Sequence, residues 1–247
     1  MTEKFHLIIG NGEIGQAIGV NLQEPHYKNV YYVDLEKSDI IPKTNFDVLH
    51  ICFGYSENFI EHVIEYSQQY MFSVLCIHST IPPGTTKELS RSIKNIVYSP
   101  VRGRHQETMV KHVKMFPKYY AVSNAIAREY FINAMCPFRL VECDDFDSLE
   151  VAKIMSTTYM YWNVIYEREL YKYCTENNLD YDFIYREWQE SYNDMCNNEI
   201  YSEHFKRPIF EHTTGEIGGH CLRPNIHLVD NYITDIIKEW EDGSRFI

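Results

Sequence analysis

Three glycines near the amino terminus carry the clearest chemical signal in this sequence. Gly10-Asn11-Gly12-Glu13-Ile14-Gly15 fits the spacing G-x-G-x-x-G, directly after the apolar run Phe5–Ile9 and at the head of a helical pattern, Ile14–Leu22. At such a junction the first glycine permits a tight turn. The second lets backbone amides approach a pyrophosphate, and the third lets the helix pack closely on the strand. The unpaired N–H groups and positive dipole end of that helix then face the phosphates. Nineteen residues beyond Gly15, closing the run Val30–Val33, stands Asp34. A carboxylate there accepts hydrogen bonds from an adenosine ribose and repels a 2′-phosphate, so the pattern reads as an NAD site rather than an NADP site.

A second reactive group lies near the other end. Cys221 follows Gly218-Gly219-His220 in a stretch, Phe205–Asn225, that is rich in Gly, Pro, Thr and His and lacks periodicity. Long aperiodic segments inside a domain are usually functional, and a thiol after paired glycines is poorly placed for core packing. Eleven histidines raise the question of a metal. His204, His212 and His220 recur eight apart, but no H-E-x-x-H or cysteine–histidine ligand spacing is present, so no metal is expected. Neither a G-x-S-x-G elbow nor a Walker A or kinase motif occurs.

Elements must position these groups. Strands are expected at Phe5–Ile9, Val30–Val33, Val48–Phe53, Val74–His78, Ile96–Ser99, Tyr119–Val122 and Phe138–Val141, with helices at Ile14–Leu22, Glu57–Tyr70 and Ala125–Met135. Alternating strands and helices, with the strands apolar almost throughout, imply a parallel, doubly wound sheet covered on both faces. From Ser148 the pattern changes. Ala152, Met155, Tyr159, Trp162, Tyr166, Leu170 and Tyr173 recur at spacings of three and four, and a second row, Ile154, Thr158, Tyr161 and Ile165, runs beside them. A helix over about 149–175, roughly 40 Å long, is therefore expected to be buried on two sides. One flank would face its own domain and the other a second copy of the chain, which makes a homodimer the expected state. A turn at Asn177–Asp180, a helix over Tyr181–Tyr192 and a closing amphipathic helix through Val229, Ile233, Ile236, Ile237 and Trp240 complete the reading.

Composition narrows the partners. The 247 residues carry 23 basic and 35 acidic side chains, a net charge of −12, which argues against nucleic acid or an anionic membrane as partner. Seven cysteines without a C-x-x-C pair read as reduced thiols, and no run approaches the length of a membrane span or signal core. The chain is expected to be cytoplasmic.

Four further segments resemble the UDP-glucose, GDP-mannose and UDP-N-acetylmannosamine 6-dehydrogenases, a family of nucleotide-sugar dehydrogenases. Ser79-Thr-Ile-Pro-Pro-Gly-Thr-Thr86 is similar to the family's S-T-V-P-P-G-T-T. Glu150-Val-Ala-Lys153, followed by Thr158-Tyr159 and Glu169, is similar to its E-x-A-K-x-x-x-N-T-Y…N-E helix. Gly218-Gly-His-Cys221-Leu resembles its G-G-x-C-[LI] loop, and Tyr98-Ser-Pro100 matches the start of its S-P-E segment. The matches run in the family's order from residue 5 to about 230.

The resemblance implies oxidation of a sugar C6 from alcohol to carboxylate with two NAD molecules. Cys221 would be the nucleophile, forming a thiohemiacetal and then a thioester that water hydrolyses. Lys153 would stabilise the developing oxyanion, Thr157 would take the place of the family's active-site asparagine, and Thr80 would sit near nicotinamide and substrate. Several family acids are replaced. Val101 stands for the acid of S-P-E, His105 for a second acid, and Asn225 for the aspartate four residues after the cysteine. His105 is a candidate base near neutral pH. Arg102, Arg104 and Arg207, with Gly218 and Gly219, are candidates for holding a diphosphate or carboxylate. The family's third, nucleotide-binding domain has no counterpart before the chain stops.

The expectation is thus an α/β protein. A Rossmann-type, doubly wound and mostly parallel sheet over residues 1–145 binds NAD, and an all-α substrate and dimerisation domain over 146–247 is built on one long central helix. Two other readings remain: a two-electron dehydrogenase of the hydroxyacid type, and an inactive NAD-binding relative of the family.

Overall fold

The computed structural model of the chain describes residues 3–23, 27–36, 38–103, 108–198, 205–215, 217 and 222–243. The chain divides into two compact units, Met1–Ile154 and Met155–Ile247. In the first, the strands are β1 (Phe5–Ile9), β2 (Asn29–Val33), β3 (Asn45–Ile51), β4 (Met71–Ile77), β5 (Ile96–Tyr98), β6 (Lys118–Val122) and β7 (Leu140–Glu142). The helices are α1 (Glu13–Gln23), α2 (Phe59–Gln69), α3 (Thr85–Leu89), α4 (Met109–Met115) and α5 (Ala125–Ala134).

The seven strands form one sheet in the order β2-β1-β3-β4-β5-β6-β7. β1 to β5 run parallel, β6 turns antiparallel against β5, and β7 runs parallel to β6. The central strands are apolar on both faces because both are covered. Ala17 and Ile18 of α1, Val113 of α4 and Phe131 of α5 pack with Ile8, Val48 and Val74 on one face. Phe59 and Val63 of α2 and Leu89 of α3 pack with Leu7, Leu49 and Leu75 on the other. All seven strands coincide with the expected runs; β3 and β4 begin three residues earlier, at Asn45 and Met71, where they pair with each other.

The long helix α6 spans Phe146–Glu176, 31 residues, somewhat longer than the periodicity alone indicates. Its two apolar rows have different fates. Ile154, Thr158, Tyr161 and Ile165 are buried, and Tyr161 and Ile165 share the core of the second unit with Ile217, Ile226 and Ile237. Tyr159, Trp162, Tyr166 and Tyr173 of the other row are exposed, Tyr159 by 63%.

After α6 the chain turns through Asn178, whose φ of +56° is left-handed. The expected helix at Tyr181 is present but not uniform. Asp182–Glu187 is π-helical and continues as α7, Trp188–Asn198. Tyr185 within the π segment is buried, stacks on Tyr181 and accepts a hydrogen bond from Phe210 N–H, so the wider turn accompanies packing of an aromatic side chain. The aperiodic stretch ends sooner than expected, in the short helix α8 (Leu222–Ile226). The closing helix α9 (Tyr232–Glu241) starts after Asn231 because Asn231 and Thr234 form a reciprocal capping box.

Candidate functional site

The glycine turn joins β1 to α1 where the strand order reverses, between β1 and β3. Open α/β sheets bind ligands outside the carboxyl ends of the strands at such a point. Gly10 has φ +98°, and a Cβ there would lie 2.9 Å from Phe53 N, beyond β3. A Cβ on Gly15 would lie 1.9 Å from the Gly10 carbonyl oxygen. Both positions exclude any side chain, which is why glycine occupies them. Gly12 is different: a Cβ there meets nothing within 4 Å. The space above it is open, as required for a group to approach the amides of Gly12, Glu13 and Ile14 at the head of α1.

Asp34 belongs to the same assembly. Its carboxylate accepts from the Asn11 N–H of the turn and from its own neighbour Leu35 N–H, while Ser38 Oγ donates to the Asp34 carbonyl. The end of β2 is thereby tied to the glycine turn. These residues fit a dinucleotide: left-handed and crowded glycines, an open face above Gly12, a helix amino terminus and an acid beside them.

The Ser79–Thr86 segment leaves the carboxyl end of β4. Ser79 Oγ donates to the Phe53 carbonyl at 2.5 Å, coupling it to the loop after β3, and half-buried Thr80 follows. Gly84 adopts φ +90° and precedes α3. Glu150, fully buried on α6, holds this turn. One oxygen accepts from Gly84 N–H at 2.7 Å, and the other from Thr86 N–H at 2.9 Å and Thr86 Oγ at 2.6 Å. Burial raises the Glu150 carboxyl above its ordinary range, while the three donors oppose that rise. Sequence reading quoted Glu150 only as part of a motif. Its structural role was signalled by an acid three residues before Lys153 on a helix, a signal that does not name its partner. Lys153 itself is half-buried on α6, one residue before the end of the first unit.

In the second unit, Thr157 of α6 and Asn225 of α8 come together: Asn225 Nδ2 donates to Thr157 Oγ at 3.2 Å, and Asn225 is buried. Arg207 stacks on Tyr192 at 3.9 Å, donates to Gln189 Oε1 at 3.0 Å and lines a cavity of about 230 Å³ with Tyr159, Tyr166 and Lys206. Arg102, in the first unit, lies between the rings of Phe116 and Tyr119, 5.0 Å from each, and donates to the Pro117 carbonyl. Its guanidinium is thus engaged in binding its own chain. Arg104, His105, Gly218, Gly219 and Cys221 lie outside the described residues.

Fold and turn together define a class, the Rossmann-type α/β proteins with a glycine turn at the head of the first helix, followed here by a helical unit on one long helix. Solved structures of dehydrogenases share this fold. The UDP-D-ManNAc dehydrogenase of Pyrococcus horikoshii superposes with a TM-score of 0.72 at 18% identity, over 95% of this chain and 68% of that one. The UDP-N-acetyl-mannosamine dehydrogenase of Staphylococcus aureus gives 0.66 at 17% identity, over 96% and 68%. A 3-hydroxyisobutyrate dehydrogenase of Mycobacterium tuberculosis, in a structure with L-serine, gives 0.65 at 10% identity, over 99% and 95%. No protein-family model matches the sequence, and comparison with curated proteins finds no match. Among the described residues no helix is long and apolar enough to cross a membrane.

Proposed function

We propose that the chain is an NAD-dependent dehydrogenase that oxidises the primary alcohol of a nucleotide sugar or a related sugar. The observation that carries this reading is the glycine turn, crowded at Gly10 and Gly15, open at Gly12 and tied to Asp34. Its likeness in fold to nucleotide-sugar dehydrogenases supports the substrate class. Bound NAD would supply the hydride acceptor. The α1 amides would hold its pyrophosphate and Asp34 its ribose, with the 2′-phosphate of NADP repelled.

On this reading residues to about 145 are the cofactor domain and 146–247 the substrate and dimerisation domain. The Cys221 thiolate would attack the aldehyde carbon to give a thiohemiacetal, loss of a hydride to a second NAD and of a proton would leave a thioester, and water would cleave that thioester to the carboxylate and release the thiolate. Lys153 balances the oxyanion, Thr157 and Asn225 orient substrate or water, and Thr80 and His105 complete the set. Arg104, Arg207, Gly218 and Gly219 are assigned to the substrate, whereas Arg102 is spent on Phe116, Tyr119 and the Pro117 carbonyl. The exposed row on α6 supports a homodimer, since a contiguous set of large aromatic side chains is costly to leave in water. A cytoplasmic setting agrees with seven cysteines lacking disulfide spacing.

The test is calorimetric titration with NAD and NADP, followed by NADH production across a panel of nucleotide sugars. The expected result is NAD binding that Asp34→Ala weakens at least tenfold, turnover of one sugar, and loss of the second oxidation in Cys221→Ser. Turnover of Cys221→Ser at the unaltered rate would instead favour a two-electron hydroxyacid dehydrogenase. The near full-length likeness to 3-hydroxyisobutyrate dehydrogenase is what keeps that second reading open. NAD binding with no turnover on any sugar would leave an inactive relative.

A further inference from the structure

The aperiodic stretch that leads toward Cys221 is fastened to helices of the second unit at intervals of a few residues. The side-chain amide of Asn193, on α7, holds both polar groups of the Arg207 backbone. Arg207 N–H donates to Asn193 Oδ1 at 2.8 Å, and Asn193 Nδ2 donates to the Arg207 carbonyl at 3.0 Å. Phe210 N–H donates to the Tyr185 hydroxyl at 3.1 Å. From there the stretch follows α6 in the reverse direction. His212 meets Glu167, the Gly215 carbonyl accepts from Arg168, Ile217 shares a core with Ile165 and Tyr161, and Asn225 reaches Thr157. The Glu167 and Thr157 ends of this series are about 15 Å apart along the helix axis.

Glu167 is the buried acid of the series. Its Oε1 accepts from the Tyr181 hydroxyl at 2.6 Å and from His212 Nδ1 at 2.9 Å. No Lys or Arg pairs with it among the described residues, so these two donors satisfy a carboxylate that burial would otherwise make costly. Burial first, and the Glu167 contact second, hold the Tyr181 phenol well above its ordinary range, so the hydroxyl keeps its hydrogen for the acid. An ionised carboxylate only accepts, so His212 carries a hydrogen on Nδ1. The His212 ring lies flat on Tyr171, with 3.5 Å between centroids and 10° between planes, while Tyr181 stands edge-on to both. The acid fixes where the imidazole sits, and the rings fix how it is turned.

We propose that Glu167 is a positioning residue: by clamping His212 it sets the course of the stretch that carries Arg207 on one side and Cys221 on the other. The proposal rests on the dehydrogenase reading for the roles of Arg207 and Cys221. Cys221 follows His212 by nine residues and precedes Asn225 by four, so the Glu167–His212 and Thr157–Asn225 contacts bound the length of chain from which the thiol must act. Glu167 takes no direct part in the chemistry, since the Thr157–Asn225 pair assigned to substrate is about 15 Å away along α6. Its effect is geometric. Attack on a carbonyl carbon requires the sulfur at near-attack distance, and a displacement of about 1 Å costs on the order of 100-fold in rate.

The test is timed alkylation of the full chain with iodoacetamide, each cysteine being followed by peptide mass spectrometry, which needs no turnover. Cys174 of α6 and Cys196 of α7 are buried in the same unit and report any general loosening of it. Two variants release the clamp: Glu167→Met, and His212→Phe, which keeps a flat ring against Tyr171 but has no donor. In both, Cys221 should react about threefold faster or more while Cys174 and Cys196 keep their rates. Glu167→Gln retains the acceptor and should return Cys221 to within about twofold of the unmodified chain. NAD affinity should be unaltered in all three variants, and kcat on the oxidised sugar should fall about tenfold in the first two only. An unchanged Cys221 rate in His212→Phe, or equal acceleration of all three cysteines there, would overturn the positioning role. Absence of turnover on every sugar would count against the dehydrogenase reading and leave the alkylation result standing.

Discussion

The sheet-bearing unit and the helical unit handle their side chains in opposite ways. In the first, the apolar faces of seven strands are covered by helices from the same unit, and even the polar groups beneath them, His6, His50, His78 and Lys118, find partners in a row. In the second, one row of α6 is buried against Ile217, Ile226 and Ile237 while Tyr159, Trp162, Tyr166 and Tyr173 remain exposed. The contrast separates two kinds of instruction. One unit is self-sufficient, with its risk concentrated in buried polar groups. The other leaves a row of large aromatic side chains exposed.

The comparison can be broken most severely at the glycine turn. Gly15→Ala should cost several kcal/mol, on the order of ~3, because its methyl would overlap the Gly10 carbonyl and the backbone must move. Thermal unfolding would register the loss, and NAD binding should disappear with it. Gly12→Ala is the matched control: with nothing near its Cβ, the melting temperature should stay within about 1 °C, since about 1 kcal/mol would shift it by only ~2–4 °C. NAD affinity alone should fall.

Next in size is the buried carboxylate. Glu150→Ala strands Gly84 N–H, Thr86 N–H and the Thr86 hydroxyl, and should destabilise the first unit by about 2–4 kcal/mol in urea titrations. Glu150→Gln keeps an acceptor and should cost roughly half of that.

Acid sharpens the difference between the units. Burial lowers the proton affinity of His6, to about 4, and lowers that of His50 and His78 as well. The unfolded chain therefore binds more protons than the folded one below the ordinary value near 6.5. Stability rises with pH across that window and is lost as pH falls from about 6.5 toward 4, by about 1.4 kcal/mol per pH unit for each histidine. Lys118 acts the same way higher up, adding stability as pH rises from about 8 to 10.5. All three tryptophans, Trp162, Trp188 and Trp240, belong to the second unit, so their fluorescence reports on it alone. Between pH 7 and 5 the circular-dichroism transition, dominated by both units, should move more than the fluorescence transition. Coincident transitions would remove the distinction.

The smallest effect on stability, and the one that tests the exposed row, is Trp162→Ser with Tyr166→Ser. Surface changes of this kind should alter monomer stability by about 0.5 kcal/mol or less. Sedimentation should show a dimer converting to a monomer; an unchanged sedimentation coefficient would mean that the row is not an interface.

Much of this architecture was legible because its signals are local. Each of the seven strands is a short apolar run between turn residues, and the crowded positions Gly10 and Gly15 admit only glycine. Asp34 was legible by its distance from that turn. The two rows of α6 were visible as periodicity, but periodicity is symmetric between them, and packing alone selected the row of Ile154 and Tyr161 for burial. The antiparallel turn of β6 was not legible either, since Lys118–Val122 reads the same in both directions. The π-helical turn at Asp182–Glu187 depends on where Tyr185 finds its cavity, and α8 on the burial of Asn225 and Ile226.

Local chemistry therefore specified the chain's elements and its glycine turn, because backbone sterics and alternation act within a few residues. The grip of Glu150 on Gly84 and Thr86, and the contact of His6 with His50 and His78, join positions 28 to 66 residues apart. Such pairings follow from strand register and helix packing, which no single segment encodes, and so they came into being only when the sheet assembled.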